Sequence, residues 1–278
     1  MSLTDKACIV TGANTGLGFE VAKRLGAQGA ETTLLCRSER RGEEAIGRIK
    51  RAHPDALVEL AVCDLSSLTS VREFIAGYEE RHPRLDLLYN NAAVMSPKRT
   101  ETPDGFETMF QVNYLAPFVL MTSLLDLLKK GSSPFLINNG RPSYKLRLDW
   151  DDLQSRKRYS MYRSFFLTKL CLLFATLELA RRPGSDGVTI TMIDPGPFKS
   201  DLVRGNRLIG WFKNLISAPV EKAADNLLFH FIPEEAESKH GRVFKEKEAH
   251  ALSDYWTDPN NGTRLWSVTE EMLKGTVN

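Results

Sequence analysis

"VTGANTGLG", residues 10–18, is the stretch on which the fold turns. It sits between "KACIVTG", an apolar run that reads as a buried strand ending at a glycine, and "GLGFEVAKRLGAQG", a helical pattern with a glycine stop. Each glycine of the junction has its own task. Gly12 permits the tight turn, Gly16 lets the backbone approach a pyrophosphate, and Gly18 allows the helix to pack closely on the sheet. Asn14, Thr15 and Leu17 complete the same turn. The helix then presents its free N–H groups and partial positive charge to the phosphates of a dinucleotide.

Outward from this turn, strand-like and helix-like segments alternate. "ETTLLC" leads into the charged helix "SERRGEEAIGRIKRA", and the strands "LVELAVCDL" and "LDLLYNNA" flank the helix "SLTSVREFIAGYEERH". "GFETMFQVNYLAPFVLMTSLLDLLKK" reads as one long, mostly buried helix, followed by a fifth strand, "PFLINN". "SMYRSFFLTKLCLLFATLELARR" is another long helix, and "GVTITMIDPGP" a sixth strand ending in a turn. "GRVFKE" is a candidate last strand, and residues 259–273 a closing helix. Such alternation argues for βαβ units and a parallel sheet covered on both faces. With no repeat, low-complexity tract or linker, the expectation is one α/β domain over residues 1–278. Residues 198–218 show no clear period; Phe198, Trp211 and their apolar neighbours suit a substrate lid or, equally, packing against the sheet edge.

Composition sets further bounds. The chain has 278 residues, 42% apolar, with 37 basic against 35 acidic side chains. That balance does not suggest a nucleic-acid partner. Cys8, Cys36, Cys63 and Cys171 lack metal or CxxC spacing and read as buried hydrophobes in a reducing, cytoplasmic setting. No run reaches membrane-spanning length, and a first strand so near Met1 leaves no room for a signal peptide or anchor. His53, His82, His230, His240 and His250 fall on helix ends or loops, read as solvated, and imply no metal site.

The second strand ends in "LLCRSERR", with Arg37 where a NAD site would place a carboxylate. A guanidinium can fork onto a 2′-phosphate, so NADP(H) is favoured. Arg40 and Arg41 read as a solvated helix face. Asp64, beside Leu65 after the third strand, suits either the adenine amine or a cap on the helix that follows.

Taken in order, "TGANTGLG", "CDLSS", "LLYNNAAVM", "GFETMFQVNYL", "TKL…FATLELARR" and "DPGPFKSDL" resemble the short-chain dehydrogenase/reductase family, most closely its retinol-dehydrogenase-like branch. The resemblance spans nearly the whole chain. It implies a doubly wound, seven-stranded parallel Rossmann sheet in three αβα layers. It also implies cofactor contacts at Gly12, Gly16, Gly18, Asp64, Asn91, Ala92, Pro195, Gly196 and Ser200. By the same resemblance Asn113 holds a proton-relay water and Lys169 grips the nicotinamide ribose. The apolar faces of 106–130 and 158–181 resemble the family's dimer surface, and could equally be core.

The catalytic pair departs from the family. Phe165 stands four residues before Lys169, where the resemblance implies a tyrosine that protonates the substrate oxygen. Asn139 and Gly140 occupy the serine pair that ends the fifth strand, Thr168 precedes the lysine, and Ala93 and Asp194 also differ. Asn139 or Tyr144, and Ser143 beside it, are the candidate stand-ins. Tyr162, two helical turns from Lys169, has poor reach. Three functions follow as expectations. The first is a repurposed enzyme that cyclises or isomerises a hydrophobic small molecule in a pocket lined by Phe165, Gly140, Phe198 and Trp211. The second is an NADPH-dependent reductase of an iminium, conjugated or carbonyl substrate with another proton source. The third is a cofactor-binding regulatory protein without turnover.

Overall fold

The central strands are buried along almost their whole length, so side chains that alternate up and down give the sheet two apolar faces. A computed structural model describes residues 3–140, 146–196, 219–231 and 236–276 of the chain. In chain order the first half runs β1 (Ala7–Thr11), α1 (Gly16–Ala27), β2 (Glu31–Cys36), α2 (Glu39–Ala52), β3 (Val58–Val62), α3 (Leu68–Arg81) and β4 (Leu87–Asn90). Next come α4 (Thr108–Phe110), a π-helical segment (Gln111–Leu115), α5 (Ala116–Ser123), α6 (Leu125–Leu128), β5 (Phe135–Asn139), α7 (Met161–Arg181) and β6 (Thr189–Asp194). The chain continues through α8 (Val220–Leu228), α9 (Ala236–Lys239), β7 (Arg242–Lys245), β8 (Glu248–Ala249), α10 (Asp254–Thr257) and α11 (Pro259–Lys274).

The strands lie in the order β3-β2-β1-β4-β5-β6-β7-β8. β1 pairs with both β2 and β4 in parallel, so the strand order reverses beside it and opens a crevice at the strands' carboxyl ends. Ile9, Leu35, Leu88, Leu136 and Ile190 face one layer, containing α3, α5, α7 and α11. Their neighbours Cys8, Val10, Leu34, Leu87 and Phe135 face the other, containing α1, α2 and α8. The three-layer Rossmann architecture is as expected from the sequence, with one correction. Among the described residues the sheet has eight strands: β8 turns back antiparallel on β7 through Glu246, whose φ is 54°. The charged "KEKEAH" carries no alternation that would betray a two-residue strand.

The long helix read over 106–130 is broken. Pro117, in the first turn of α5, has no N–H for the carbonyl of Asn113, and the turn there widens to the π form. Leu124, at φ −85° and ψ 4°, then separates α5 from α6. The apolar faces of α5 and α7 are covered within the chain by α11. Trp266 meets Phe118 edge-on at 4.7 Å, the Tyr114 hydroxyl bonds Thr269, and Thr263 donates to Glu178.

All four cysteines are buried and free, and burial pushes the Cys36 and Cys63 thiols up to about 11. The reading of the histidines as solvated needs correction. His230 is fully buried, with Nε2 2.6 Å from the Glu246 carbonyl, because α8 folds back under the β7–β8 hairpin. His240 sits between the Ala180 and Val188 carbonyls, at 2.8 and 2.9 Å. Among the described residues no helix is long and apolar enough to cross a membrane.

Candidate functional site

The carboxyl ends of β1, β4, β5 and β6 and the start of α1 meet at one place. The Gly12 N–H donates to Leu35 O at 2.8 Å, and its φ of +65° is one that L side chains rarely adopt. Behind this turn stands Asn91, whose Nδ2 donates to Thr11 O at 2.9 Å while its own N–H reaches the Thr11 hydroxyl at 2.9 Å. The Ala92 N–H shares that hydroxyl at 2.8 Å. A Cβ on Gly18 would lie 2.5 Å from Asn91 Nδ2 and 2.6 Å from Gly12 O, so only glycine lets α1 come this close. Around Gly16 a Cβ would meet nothing within 4 Å. Thr15 begins α1 with no side-chain cap, leaving the first N–H groups open toward that space. This cradle fits a pyrophosphate.

Arg37 is exposed just beyond β2 and forms no ion pair among the described residues. Asn14 and Thr15 share a cavity with Arg41, Glu44, Ala45 and Arg48 of α2. Arg40 pairs with Glu44 and stays exposed, whereas Arg41 turns its half-buried side chain to that cavity. The sequence signal was spacing: on a helix capped by Ser38, Arg41 lies within a turn of Arg37. Asp64 accepts from the Ser66 N–H and hydroxyl at 2.9 and 2.7 Å, and the capping alternative falls to Ser67, which accepts from the Ser70 N–H.

The second half of the site lies on α7. Phe165 is 8% exposed and meets Phe166 edge-on at 5.5 Å. The Thr168 hydroxyl donates to Phe165 O at 2.7 Å and lies 3.3 Å from Asn113 Nδ2. Asn113 grips Val94 at both backbone atoms, accepting from its N–H at 2.7 Å and donating to its carbonyl at 2.9 Å. The π-helical turn thereby fixes the loop after β4 against α7. Lys169 is buried, and its Nζ donates to Asn139 O at 2.9 Å, 5.8 Å from the centre of the Phe165 ring. Asn139 donates in turn to Asn91 Oδ1 at 3.3 Å, so an amide read as a substrate-side donor points to the nucleotide turn. Beneath them Asn90, Asn138 and Thr176 form a buried chain at 2.8 Å per link, joining β4 and β5 to α7. Those asparagines looked like strand residues and were missed.

Gly140 closes β5 with its N–H on Ile193 O at 3.0 Å; a Cβ there would lie 2.4 Å from Met192 Cε. Pro195 O accepts from Asn226 of α8 at 3.3 Å, and the Gly196 N–H caps Asp194 Oδ1 at 3.0 Å. Tyr162 is 42% exposed on the first turn of α7, two helical turns before the lysine. Tyr144, Phe198, Ser200, Trp211 and the proposed lid lie outside the described residues.

Burial alone lowers the Lys169 amine to about 8. An unfolded lysine titrates near about 10.4. The unfolded chain therefore holds the extra proton between these values, and folded stability rises with pH through that window. Below about pH 8 the full cost, about 3 kcal/mol, weighs on the folded state. Lys169→Met is accordingly expected to raise urea stability at pH 7 by about 2–3 kcal/mol, with the gain shrinking toward pH 10. A gain that stays constant with pH would show that the amine is not desolvated.

Comparison with known proteins agrees with this geometry. Residues 6–140 match the family model described as short chain dehydrogenase. Human retinol dehydrogenase 12 is 34% identical over 98% of this chain and 88% of its own length. Human polyprenol dehydrogenase is 31% identical over 96% of this chain and 85% of its own. Among solved structures, a Burkholderia cenocepacia short chain dehydrogenase in complex with NADP superposes with a TM-score of 0.69 at 22% identity, covering 88% of this chain and 97% of the other.

Proposed function

The chain belongs to the short chain dehydrogenase family, and from that premise we propose that it binds NADP(H) and transfers hydride to or from an apolar small molecule without a tyrosine–serine pair. The observation that carries this reading is Lys169. A buried amine with no carboxylate partner among the described residues is costly, and it is held beside the cradle by Asn139 and Asn91. The uncapped start of α1 and Gly16 would receive the pyrophosphate, Arg37 and Arg41 the 2′-phosphate, and Lys169 the nicotinamide ribose. Bound there, the nicotinamide supplies a two-electron hydride. Phe165 and the Thr168–Asn113 link border the facing wall. The names of the relatives, retinol and polyprenol dehydrogenases, support an apolar substrate.

A second reading rests on Phe165 itself. Its ring offers no polar atom to the cleft, which suits shape-controlled cyclisation or isomerisation with the dinucleotide as scaffold. Titrating the protein with NADPH and NADH, then adding decanal and retinal, separates the two. NADPH is expected to bind at least tenfold tighter than NADH, and Arg37→Ala to weaken NADPH alone by about 10- to 100-fold. Equal affinity for the two cofactors would remove the role given to Arg37. Bound NADPH that reduces neither aldehyde would favour the second reading.

A further inference from the structure

The hydride-transfer reading leaves open which group handles the proton. We propose that Lys169 is the proton source: its ammonium protonates the substrate oxygen as the carbonyl carbon accepts hydride from a reduced nicotinamide. The C=O π bond breaks, a C–H bond forms with the hydride and an O–H bond with the lysine proton, leaving an alcohol, oxidised nicotinamide and neutral lysine. Water then returns the proton to Nζ. Alcohol oxidation runs the same exchange backward, with the neutral amine as base.

Placement carries the assignment. Nζ lies beside the Phe165 ring at one end and reaches the nucleotide turn at the other, through Asn139 O, Asn139 Nδ2 and Asn91. Asn91 is fixed to Thr11 beside Gly12, so amine and cradle form one connected unit. Asn139 O takes one of the ammonium's three protons. Among the described residues, the other polar groups bordering Phe165 are already engaged. The Thr168 hydroxyl donates to Phe165 O within its own helix, and both ends of the Asn113 amide hold Val94. The Asp194 carboxylate accepts from the Gly196 N–H, and Tyr162 lies exposed at the start of α7.

The lysine faces Phe165 on α7 and Asn139 on β5, with Asn91 behind Asn139. Among the described residues, no carboxylate or second amine shifts its titration, and burial alone lowers it. A pKa of about 8 keeps the proton in place at neutral pH yet makes the ammonium a stronger acid than a free phenol.

The test compares wild type, Lys169→Arg and Lys169→Ala with NADPH and decanal. Wild-type kcat/KM for reduction should be level below about pH 8 and fall about tenfold per unit above it. Lys169→Arg keeps the positive charge but holds its proton at every accessible pH. It should bind NADPH within about fivefold of wild type, lose at least about 100-fold in kcat, and lose the alkaline limb. Ethylamine should restore part of the Lys169→Ala rate. Independently of turnover, protein labelled with ε-13C-lysine and free of cofactor should show one amine titrating near 8, absent in Lys169→Arg. Undiminished kcat in Lys169→Arg, or a Lys169 amine titrating above about 10, overturns the proton role alone. Bound NADPH that reduces neither decanal nor retinal overturns the hydride-transfer reading, and the proton role with it.

Discussion

Phe165→Tyr is expected to raise carbonyl reduction by about 10- to 100-fold over the lysine-supported rate, less than the roughly two to four powers of ten that a positioned acid yields where there is none. The ring already sits one helical turn before Lys169, with its backbone fixed by the Thr168 hydroxyl. The introduced phenol would extend from a wall residue that is 8% exposed, beside an ammonium that favours the phenolate. Gly140→Ser should add nothing by itself. Its Cβ would sit 2.4 Å from Met192 Cε and 2.7 Å from Sδ, and Met192 is fully buried. That crowding should cost about 1–3 kcal/mol of stability. Combined with Met192→Ala, which clears the space, the serine should add a further about 10- to 100-fold. Rates come from NADPH oxidation with decanal. No gain in Phe165→Tyr, at unchanged NADPH affinity, would mean that position 165 does not face the reacting oxygen.

Gly18→Ala should weaken NADPH binding by at least about 100-fold, equivalent to about 2.7 kcal/mol. The added methyl would lie 2.5 Å from Asn91 Nδ2 and 2.6 Å from Gly12 O, and neither can yield easily. Gly12 is held to Leu35 and Asn91 to Thr11 at two points, so the helix start must move instead and carry its phosphate-facing N–H groups away. Gly16→Ala differs: its methyl meets no atom of the described residues within 4 Å, so stability should change by only about 1 kcal/mol, from the positive φ, while affinity still falls. Gly77→Ala, with open space around it, serves as the control in calorimetric titration. Full NADPH affinity in Gly18→Ala would show that the dinucleotide lies elsewhere.

How far the sequence could be read follows from physics. Glycines mark backbone geometry directly, so the β1–α1 turn was legible at once, and uninterrupted apolar runs announced the parallel strands. β8 was invisible because two charged-flanked residues carry no period. The break in the 106–130 helix was signalled by Pro117, but Pro in a first helical turn is ordinary, and only the geometry shows the π-turn at Asn113. Side-chain partners were the least legible. Nothing in "LINNG" says that Asn139 would turn to Asn91, or that Met192 would occupy the space a serine at 140 would need. His230 read as a loop residue because its cover, the β7–β8 hairpin, arrives from sixteen positions later.

The cover over α5 and α7 has a consequence for synthesis. Tyr114 and Thr269 are 155 positions apart, so the helix bearing Lys169 waits, one flank bare, until residues 259–274 have been made. A nascent chain stalled before residue 259 would carry Phe118 and the greasy side of α7 uncovered. Chaperone occupancy during translation should therefore persist past the synthesis of α7 and end abruptly once Trp266 docks.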